Sequence, residues 1–323
     1  MKKFGFLIGV LAITIIAILW SIIGSDYISQ SGSDYEGIQP SSTYPQYWTY
    51  QGREILLLGG SVEDNLFQVA DLSAQLDLLV DVGGNYVRNT MSSRDEGNLW
   101  PFAMRSDSLY DLNSWDDEYW LRFENFLKET HQREIIVQME VWATFDFYRE
   151  NWLINPYNPK NNINYDGRRA KLAPEVNSHP IYTENNFFRS VPSQLAIMKL
   201  LEYQQKYVDK ILSYTLDYDH VLYCMDNETS VTSDWGKFWA GYIRKKGLEN
   251  GKFLQTTEMW DPWDLDHIAH RETTDNPEVY SFVDISQNNH NSGEAHWRNG
   301  IKRIDHVKEI DALRPCNNVK VYG

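Results

Sequence analysis

Short apolar segments alternate with helical segments along most of the chain, and this alternation restricts the possible folds more than any other feature. The apolar segments are rich in aliphatic residues, as buried parallel strands are, and amphipathic helical stretches follow them. Seven predicted strands cover residues 54–60, 85–89, 135–139, 221–225, 253–257, 280–285 and 319–322. Because strands that alternate with helices form parallel sheets, the sequence predicts an α/β protein built from seven βα units.

The residues after the first predicted strand distinguish between the two common parallel folds. A doubly wound nucleotide-binding sheet needs a Gly-rich phosphate loop at this point. Residues 59–64 (GGSVED) have neither the GxGxxG spacing nor the Walker lysine, and Glu63 and Asp64 would repel phosphate. We therefore predict a (β/α)8 TIM barrel over residues 46–323. Since the seventh predicted strand lies next to Gly323, we expect the barrel to be incomplete and to lack its last strand.

The N-terminus has the pattern of a membrane anchor. Lys2 and Lys3 precede an apolar run over residues 4–24, which is about as long as a helix that crosses a bilayer core. No clear small-x-small cleavage site follows, so an uncleaved anchor over 1–24 is favoured over a cleaved signal segment. The positive-inside rule then places the rest of the chain outside the cytoplasm, in the cell envelope, or as a secreted protein after cleavage. Residues 25–45 are predicted to form a flexible linker.

Charge and aromatic content indicate which ligands suit the chain. It carries 45 acidic and 30 basic side chains, for a formal net charge of −15, which disfavours binding to nucleic acid. Aromatic residues make up 14% of the sequence, more than a core of this size needs. Because the flat faces of sugars stack on indole and phenol rings, this excess favours a carbohydrate ligand, with core packing as the alternative explanation.

Polar and aromatic side chains follow the predicted strands at the point where each strand ends. In a parallel barrel these ends meet on the face that carries the active site. Helix caps also favour Asp, Asn and Ser there, but Glu and Trp are poor caps and they recur. The endings are Glu63, Asp64 and Asn65; Arg88 and Asn89; Glu140 and Trp142; Asp226, Asn227 and Glu228; Glu258, Trp260 and Asp261; and Gln287, Asn288, Asn289 and His290.

The fourth of these endings, VLYCMDNET at 221–229, resembles the Asn-Glu pair of clan A glycoside hydrolases. These are retaining (β/α)8 enzymes that include cellulases, mannanases and the apiosidase-like family. The resemblance extends from about residue 47 to 323 and implies that Glu228 is the general acid/base and that Asn227 holds the sugar 2-hydroxyl. Arg88 matches an arginine that is usual at the end of strand two. The nucleophilic glutamate of the clan ends strand seven, where this chain has Val-Tyr-Gly, so the nucleophile is expected after Gly323 or at another carboxylate.

The predicted chemistry is hydrolysis of an extracellular polysaccharide or oligosaccharide by two carboxyl groups whose pKa values differ. Glu228 and Glu258 are the catalytic candidates, with Glu140 and Glu63 in reserve, and Trp142, Trp260 and Trp263 could form a wall of low dielectric constant beside them. The alternative role of Glu228 is an exposed loop acid or a helix cap. The alternative role of Glu258 is an ion-pair partner of Arg88 or of another cation at the barrel mouth. The predicted substrate-binding residues are Asn227, Arg88, Glu140, Trp142, Trp260, Asn289 and His290.

Three alternatives compete with this prediction. Asp264, Asp266, His267 and His270 could bind a metal, but neither an HExxH pattern nor paired cysteines support such a site, and no metal or cofactor is predicted. Serine catalysis would need a G-x-S-x-G elbow, which is not found. A non-catalytic carbohydrate-binding protein, derived from a decayed or truncated glycosidase barrel, stays open because it would keep the aromatic mouth without a matched pair of carboxyl groups.

Overall fold

The computed structural model describes residues 36–179 and 184–320, which alternate strands and helices as the sequence predicts. The strands are β1 Gln39–Pro40, β2 Trp48–Tyr50, β3 Arg53–Ile55, β4 Tyr86–Thr90, β5 Phe102–Met104, β6 Tyr110–Trp115, β7 Ile136–Ala143, β8 Val221–Asn227, β9 Thr256–Thr257, β10 Val283–Asp284 and β11 Cys316–Asn317. The α-helices are α1 Leu72–Asp81, α2 Asp117–Gln132, α3 Arg149–Ile154, α4 Gly167–Ala170, α5 Met198–Thr215, α6 Ser233–Glu249, α7 Ile268–Thr274 and α8 Gly293–Glu309.

The parallel strands follow one another in chain order. β4, β7, β8 and β9 form one sheet, and β10 pairs with β11 in parallel. The first predicted strand is less regular, because β3 pairs with β2 in an antiparallel sheet and Gly59 makes an isolated parallel bridge to Tyr86 of β4. An added Cβ at Gly59 would collide with the Tyr86 carbonyl, so this close approach requires glycine. The seventh strand lies at Cys316–Asn317, a few residues before the predicted 319–322.

Alternation along the strands separates two hydrophobic cores. Ile136, Leu222 and Met259 belong to the cluster inside the ring of parallel strands, whereas Val137 and Tyr223, one residue further along, pack in the larger cluster beneath the helices. This is the two-residue period of a strand that is buried on both faces. Each strand therefore sends alternate side chains to the interior and to the helix layer, and this decides which polar residues can reach a ligand.

Helix α2 illustrates how the local sequence forms these elements. Its N-cap Asp116 accepts a hydrogen bond from the Tyr119 backbone N–H at 2.8 Å, which satisfies one of the unpaired donors of the first turn. Trp120, Phe123 and Phe126 recur at helical spacing and are buried. The helix consequently presents one apolar face to the strands and a polar face to solvent.

A chain of buried hydrogen bonds crosses the interior. The Trp48 indole donates to Asn317 Oδ1 at 2.9 Å, and the Asn317 amide donates to the Tyr86 hydroxyl at 3.0 Å. Tyr86 donates to Gln138 Oε1 at 2.5 Å, and Gln138 donates to Asp284 Oδ2 at 2.7 Å. Burial raises the pKa of Asp284 to about 6. The antiparallel sheet β1–β3 is thereby joined to four of the parallel strands by polar side chains that satisfy one another.

The predicted anchor over 1–24 lies outside the described residues. Part of the predicted linker over 25–45 is packed, because β1 pairs with β2 and buried Ile38 donates its N–H to the Asp219 carbonyl at 2.8 Å. No helix within 36–179 or 184–320 combines the length and the apolar character that a bilayer span requires.

Candidate active site

Glu228 directly follows β8. It lies at the barrel mouth, the name that we give to the residues that follow β4, β7, β8, β9, β10 and β11. Its φ of 58° lies in the left-handed region, which is unfavourable for a residue with a side chain. Such backbone strain persists where surrounding structure enforces it, and it is common at functional sites. The side chain is 20% exposed, so its carboxylate is accessible from the mouth.

Lys320 faces Glu228 from the end of β11. Its ammonium lies 2.5 Å from Glu228 Oε1, and its side chain is only 2% exposed. A buried ammonium is costly unless it is paired, so the contact fixes both side chains in position. The sequence prediction missed Lys320, although a lysine within an apolar run such as 319–322 indicates a buried charge with a partner.

Asp261 lies next to the turn that carries Glu228. The Thr229 backbone N–H donates to the Met259 carbonyl at 2.7 Å, and the Asp261 N–H donates to the Thr229 carbonyl at 3.1 Å. The Asp261 side chain is 30% exposed, and its Oδ2 lies 3.9 Å from His179 Nε2. Burial raises the pKa of Asp261, and the nearby charge of Glu228 adds to this rise, while His179 opposes it.

Arginines and acids form a second charged cluster at the mouth. Arg88 pairs with Asp64 Oδ1 at 2.8 Å and with Glu140 Oε1 at 3.2 Å, and Thr90 donates a hydrogen bond to the other Glu140 oxygen. Arg94 pairs with Asp64 Oδ2 at 2.8 Å. Burial alone would raise the pKa of Asp64, but the two arginines lower it overall. Arg88 and Glu140 are thus buried beneath the mouth.

A polar cavity of about 250 Å³ opens beside this cluster. Asp64, Arg94, Ser61 and Val319 are among its lining residues, and so is Glu63, which is exposed. Carboxylate and guanidinium groups at a cavity wall can accept hydrogen bonds from hydroxyl groups or donate to them. The cavity therefore suits a polar ligand such as a sugar.

An exposed aromatic pair lies near Asp261. The Trp263 and His290 rings stack with a centroid separation of 4.2 Å and an interplanar angle of 16°. Trp263 is 62% exposed, although large aromatic side chains usually bury most of their surface. His290, predicted from the sequence, and Trp263 thus provide a flat surface of the kind on which a sugar ring stacks.

Glu258, the second predicted catalytic residue, does not face the mouth. It is completely buried, Thr229 donates a hydrogen bond to its Oε1, and an added Cβ at Gly236 of α6 would collide with its Oε2. Burial raises the pKa of Glu258 well above its usual value. Because Met259 takes the interior position, strand alternation turns Glu258 toward α6, and the expectation that it lies at the mouth was wrong.

The other predicted side chains are distributed between the core and the mouth. Trp142 packs among the rings of Tyr207, Trp235 and Trp239, and the Trp260 indole donates to Thr273 Oγ1 at 2.9 Å. Both tryptophans are buried among other side chains, so neither presents an exposed ring to the mouth, and their contact with substrate stays a prediction. Asn227 is buried directly before Glu228, and Asn289 is half-buried beside His290.

The residues of the alternative metal site make separate contacts. Asp266 pairs with Lys302 and Arg303, His267 Nδ1 accepts a hydrogen bond from the Ala269 N–H at 3.2 Å, and His270 Nε2 lies 2.8 Å from the Pro262 carbonyl. In the parts of the chain that the structure covers, no three His, Cys, Asp or Glu side chains are grouped as metal ligands.

Several solved structures with a similar fold are glycoside hydrolases. A family 5 mannosidase from Rhizomucor miehei matches with a TM-score of 0.57 and 11% identity, over 87% of this chain and 72% of that one. The chain has the barrel fold of clan A glycoside hydrolases. An endo-1,4-beta-mannanase from the same organism matches with a TM-score of 0.55 and 11% identity, over 87% of this chain and 80% of that one. An endo-beta-1,4-mannanase from Thermotoga petrophila matches with a TM-score of 0.54 and 13% identity, over 82% of this chain and 60% of that one.

These matches confirm the predicted fold class, a (β/α) barrel of the clan A type. No known protein family matches the sequence, and no curated protein does. Identities of 11–13% establish the fold alone, so the activity has to be argued from the residues at the mouth.

Proposed function

We propose that this protein is a glycoside hydrolase that cleaves a polysaccharide or oligosaccharide outside the cytoplasm, with retention of configuration. The observation that carries the proposal is the position of Glu228. It follows β8, the fourth of the predicted strands, in a left-handed backbone conformation, with a partly exposed carboxylate at the mouth. Carboxyl groups at this face can provide the acid and the nucleophile that glycoside cleavage needs.

The surroundings of Glu228 suit a carbohydrate. The stacked Trp263 and His290 rings offer a flat surface for a sugar face, and the cavity lined by Asp64 and Arg94 offers partners for hydroxyl groups. The similar solved structures are named as mannosidases and mannanases, which makes β-mannosides the first substrates to test. The site needs no cofactor for this chemistry, because two carboxyl groups and water are sufficient.

A non-catalytic carbohydrate-binding protein is the second candidate. Lys320 occupies one oxygen of the Glu228 carboxylate, and Glu258 faces α6 rather than the mouth. A barrel with these features could keep sugar binding through Trp263 without cleaving its ligand.

Release of reducing ends from a panel of polysaccharides, compared with retention on affinity gels of the same polysaccharides, separates these two functions. For an enzyme, Glu228→Gln should lower turnover by about 10²–10⁴-fold while binding persists. Glu124→Gln, on the exposed face of α2, is the matched control and should behave as the wild type. Retention on the gels without any release of reducing ends would favour the binding protein.

The proposed location depends on residues 1–24. We propose that they anchor the protein in the membrane with its barrel exported. Protease treatment of intact spheroplasts should then degrade the barrel. A full-length protein that stays in the cytosolic fraction would refute this location.

A further inference from the structure

We propose that a groove around Trp297, on the helix layer of the barrel, is a second glycan-binding site that holds a neutral polysaccharide chain. The groove is lined by residues of α7, of α8 and of the segment before α7. This inference goes beyond the proposed function, because binding there needs neither cleavage nor a carboxyl group at the mouth. The ligand class is a polymer, since only a long chain can occupy this groove and the mouth together.

Trp297 presents a free ring face to solvent. It lies in α8 and is 63% exposed, although large aromatic side chains usually bury most of their surface. Trp263 stacks on His290, whereas no ring stacks on Trp297 within residues 36–179 and 184–320. Ile301, one turn later in α8, is also exposed and lines the same groove. The two side chains thus form an apolar strip on which the flat face of a sugar can stack.

The rest of the groove is polar and carries charges of both signs. Its volume is about 610 Å³, and its lining includes four basic and three acidic side chains, Arg271, Arg303 and Asp266 among them. The cores of protein–protein interfaces are depleted of charged residues, so this lining does not suit a protein partner. A polyanion would need a clear excess of positive charge. Donors and acceptors in similar number suit the hydroxyl groups of a neutral sugar chain, which both donate and accept hydrogen bonds.

Two arginines at the groove have donors that a ligand could use. Arg303 is buried, and its Nη2 donates to the Leu265 carbonyl and lies 3.3 Å from Asp266 Oδ1. Its Nε is also buried and has no hydrogen-bond partner among the residues that the structure describes. Buried polar groups in native proteins are nearly always paired, so this donor needs an acceptor from elsewhere. Arg271 is exposed and pairs with no acid in the described parts of the chain. Sugar hydroxyl oxygens can accept hydrogen bonds from both side chains.

Hydrogen bonds tie the start of α8 to the barrel mouth. The Asn288 amide donates to the carbonyl of His296, the residue before Trp297, at 2.7 Å, and His296 Nδ1 lies 3.1 Å from the Asn288 carbonyl. Asn288 belongs to the short helical turn that also carries His290, the stacking partner of Trp263. A glycan chain that lies on Trp263 and His290 can therefore continue toward Trp297. Binding at two linked surfaces raises the affinity for a polymer above that of either surface alone.

The test measures retention of the full chain in native gels that contain galactomannan, hydroxyethyl cellulose or polygalacturonate. All proteins carry Glu228→Gln, so that the polysaccharide in the gel stays intact. Trp297→Ala is compared with Leu121→Ala, which removes a different exposed apolar side chain, from α2. We expect Trp297→Ala to weaken retention in the neutral gels by about fivefold through the lost stacking, and Leu121→Ala to leave retention unchanged.

Arg271→Ala is the second variant, because an exposed arginine without an ion pair can be removed without disturbing the fold. We expect it to weaken retention in the neutral gels as well, with an unchanged melting temperature. Since the ligand is neutral, retention of the parent should be the same at low and at high salt concentration.

Unchanged retention of both Trp297→Ala and Arg271→Ala would overturn the second site, and so would a parent protein that neither neutral gel retains. Retention in polygalacturonate alone, lost at high salt, would show that the ligand is an anion and would overturn the neutral chain. A parent that is dimeric in size-exclusion chromatography, with a monomeric Trp297→Ala, would show that the groove is an interface between copies. If the wild type releases no reducing ends while retention still depends on Trp297, the proposed function fails and the second site stands.

Discussion

Replacing Gly236 by alanine should destabilise the protein, although alanine is the better helix former. Gly236 lies in the first turn of α6. A Cβ added there would overlap Glu258 Oε2 and would lie 2.8 Å from the Tyr280 hydroxyl oxygen. Glu258 cannot turn away, because it is completely buried and its other oxygen accepts a hydrogen bond from Thr229. Overpacking costs about 1–3 kcal/mol, against a helix-propensity gain of about 1 kcal/mol, so we expect a net loss of up to about 2 kcal/mol.

Gly300 provides the matched control. It lies inside α8, and the nearest atoms to its added Cβ would be 3.8 Å and 3.9 Å away, so Gly300→Ala should stabilise the protein by about 0.5–1 kcal/mol. Urea unfolding followed by circular dichroism measures both variants. Glu258→Ala in the same background should reduce the penalty at position 236. Equal stabilities of the two alanine variants, or a penalty that Glu258→Ala does not change, would refute the placement of Glu258 against α6.

Three further predictions concern the buried acids and the aromatic surface. Burial raises the pKa of Asp226 from 3.8 to about 8, so between these pH values the folded state keeps a proton that the unfolded state loses. The free energy of unfolding should therefore fall as the pH rises through this range. Asp226→Asn should flatten this part of the pH dependence measured by urea unfolding. Arg88→Met should lower the free energy of unfolding by about 3–5 kcal/mol in the same assay, because it leaves Glu140 buried without its cation. Adding Glu140→Leu to this variant should restore part of the lost stability. Trp263→Ala should weaken glycan retention on affinity gels by about fivefold, with an unchanged melting temperature, because the lost stacking is worth about 1 kcal/mol.

The order of the fold could be predicted from the sequence because each element carries its own pattern. Apolar runs and helical spacing are local properties, and strands β4, β7 and β8 lie close to the predicted segments. The position of Glu228 follows in the same way, because it directly follows the strand β8. Local patterns of this kind depend on a few neighbouring residues and do not require knowledge of tertiary contacts.

The orientation of individual side chains could not be predicted in the same way. β9 is only two residues long, so its alternation was too short to show that Met259, and not Glu258, faces the interior. Trp142 and Trp260 end strands as substrate-binding residues would, but indole rings also pack well in a core. Lys320 meets Glu228 across 92 positions of sequence, and such a pair exists only after β8 and β11 are brought together.

The hydrogen bond between Trp48 and Asn317 has a consequence for the folding kinetics. The two residues are 269 positions apart, and Asn317 also donates to the Tyr86 hydroxyl within the chain that continues to Asp284. Contacts between distant residues slow folding, because the chain segment between them loses conformational entropy before the contact can offset that loss. The Trp48 indole and the Tyr86 hydroxyl therefore stay without their Asn317 partner until β11 is synthesised and docks. Refolding from urea should accordingly pass through a collapsed intermediate whose interior is still hydrated, and protection of the Asn317 region from hydrogen exchange should be the last to develop.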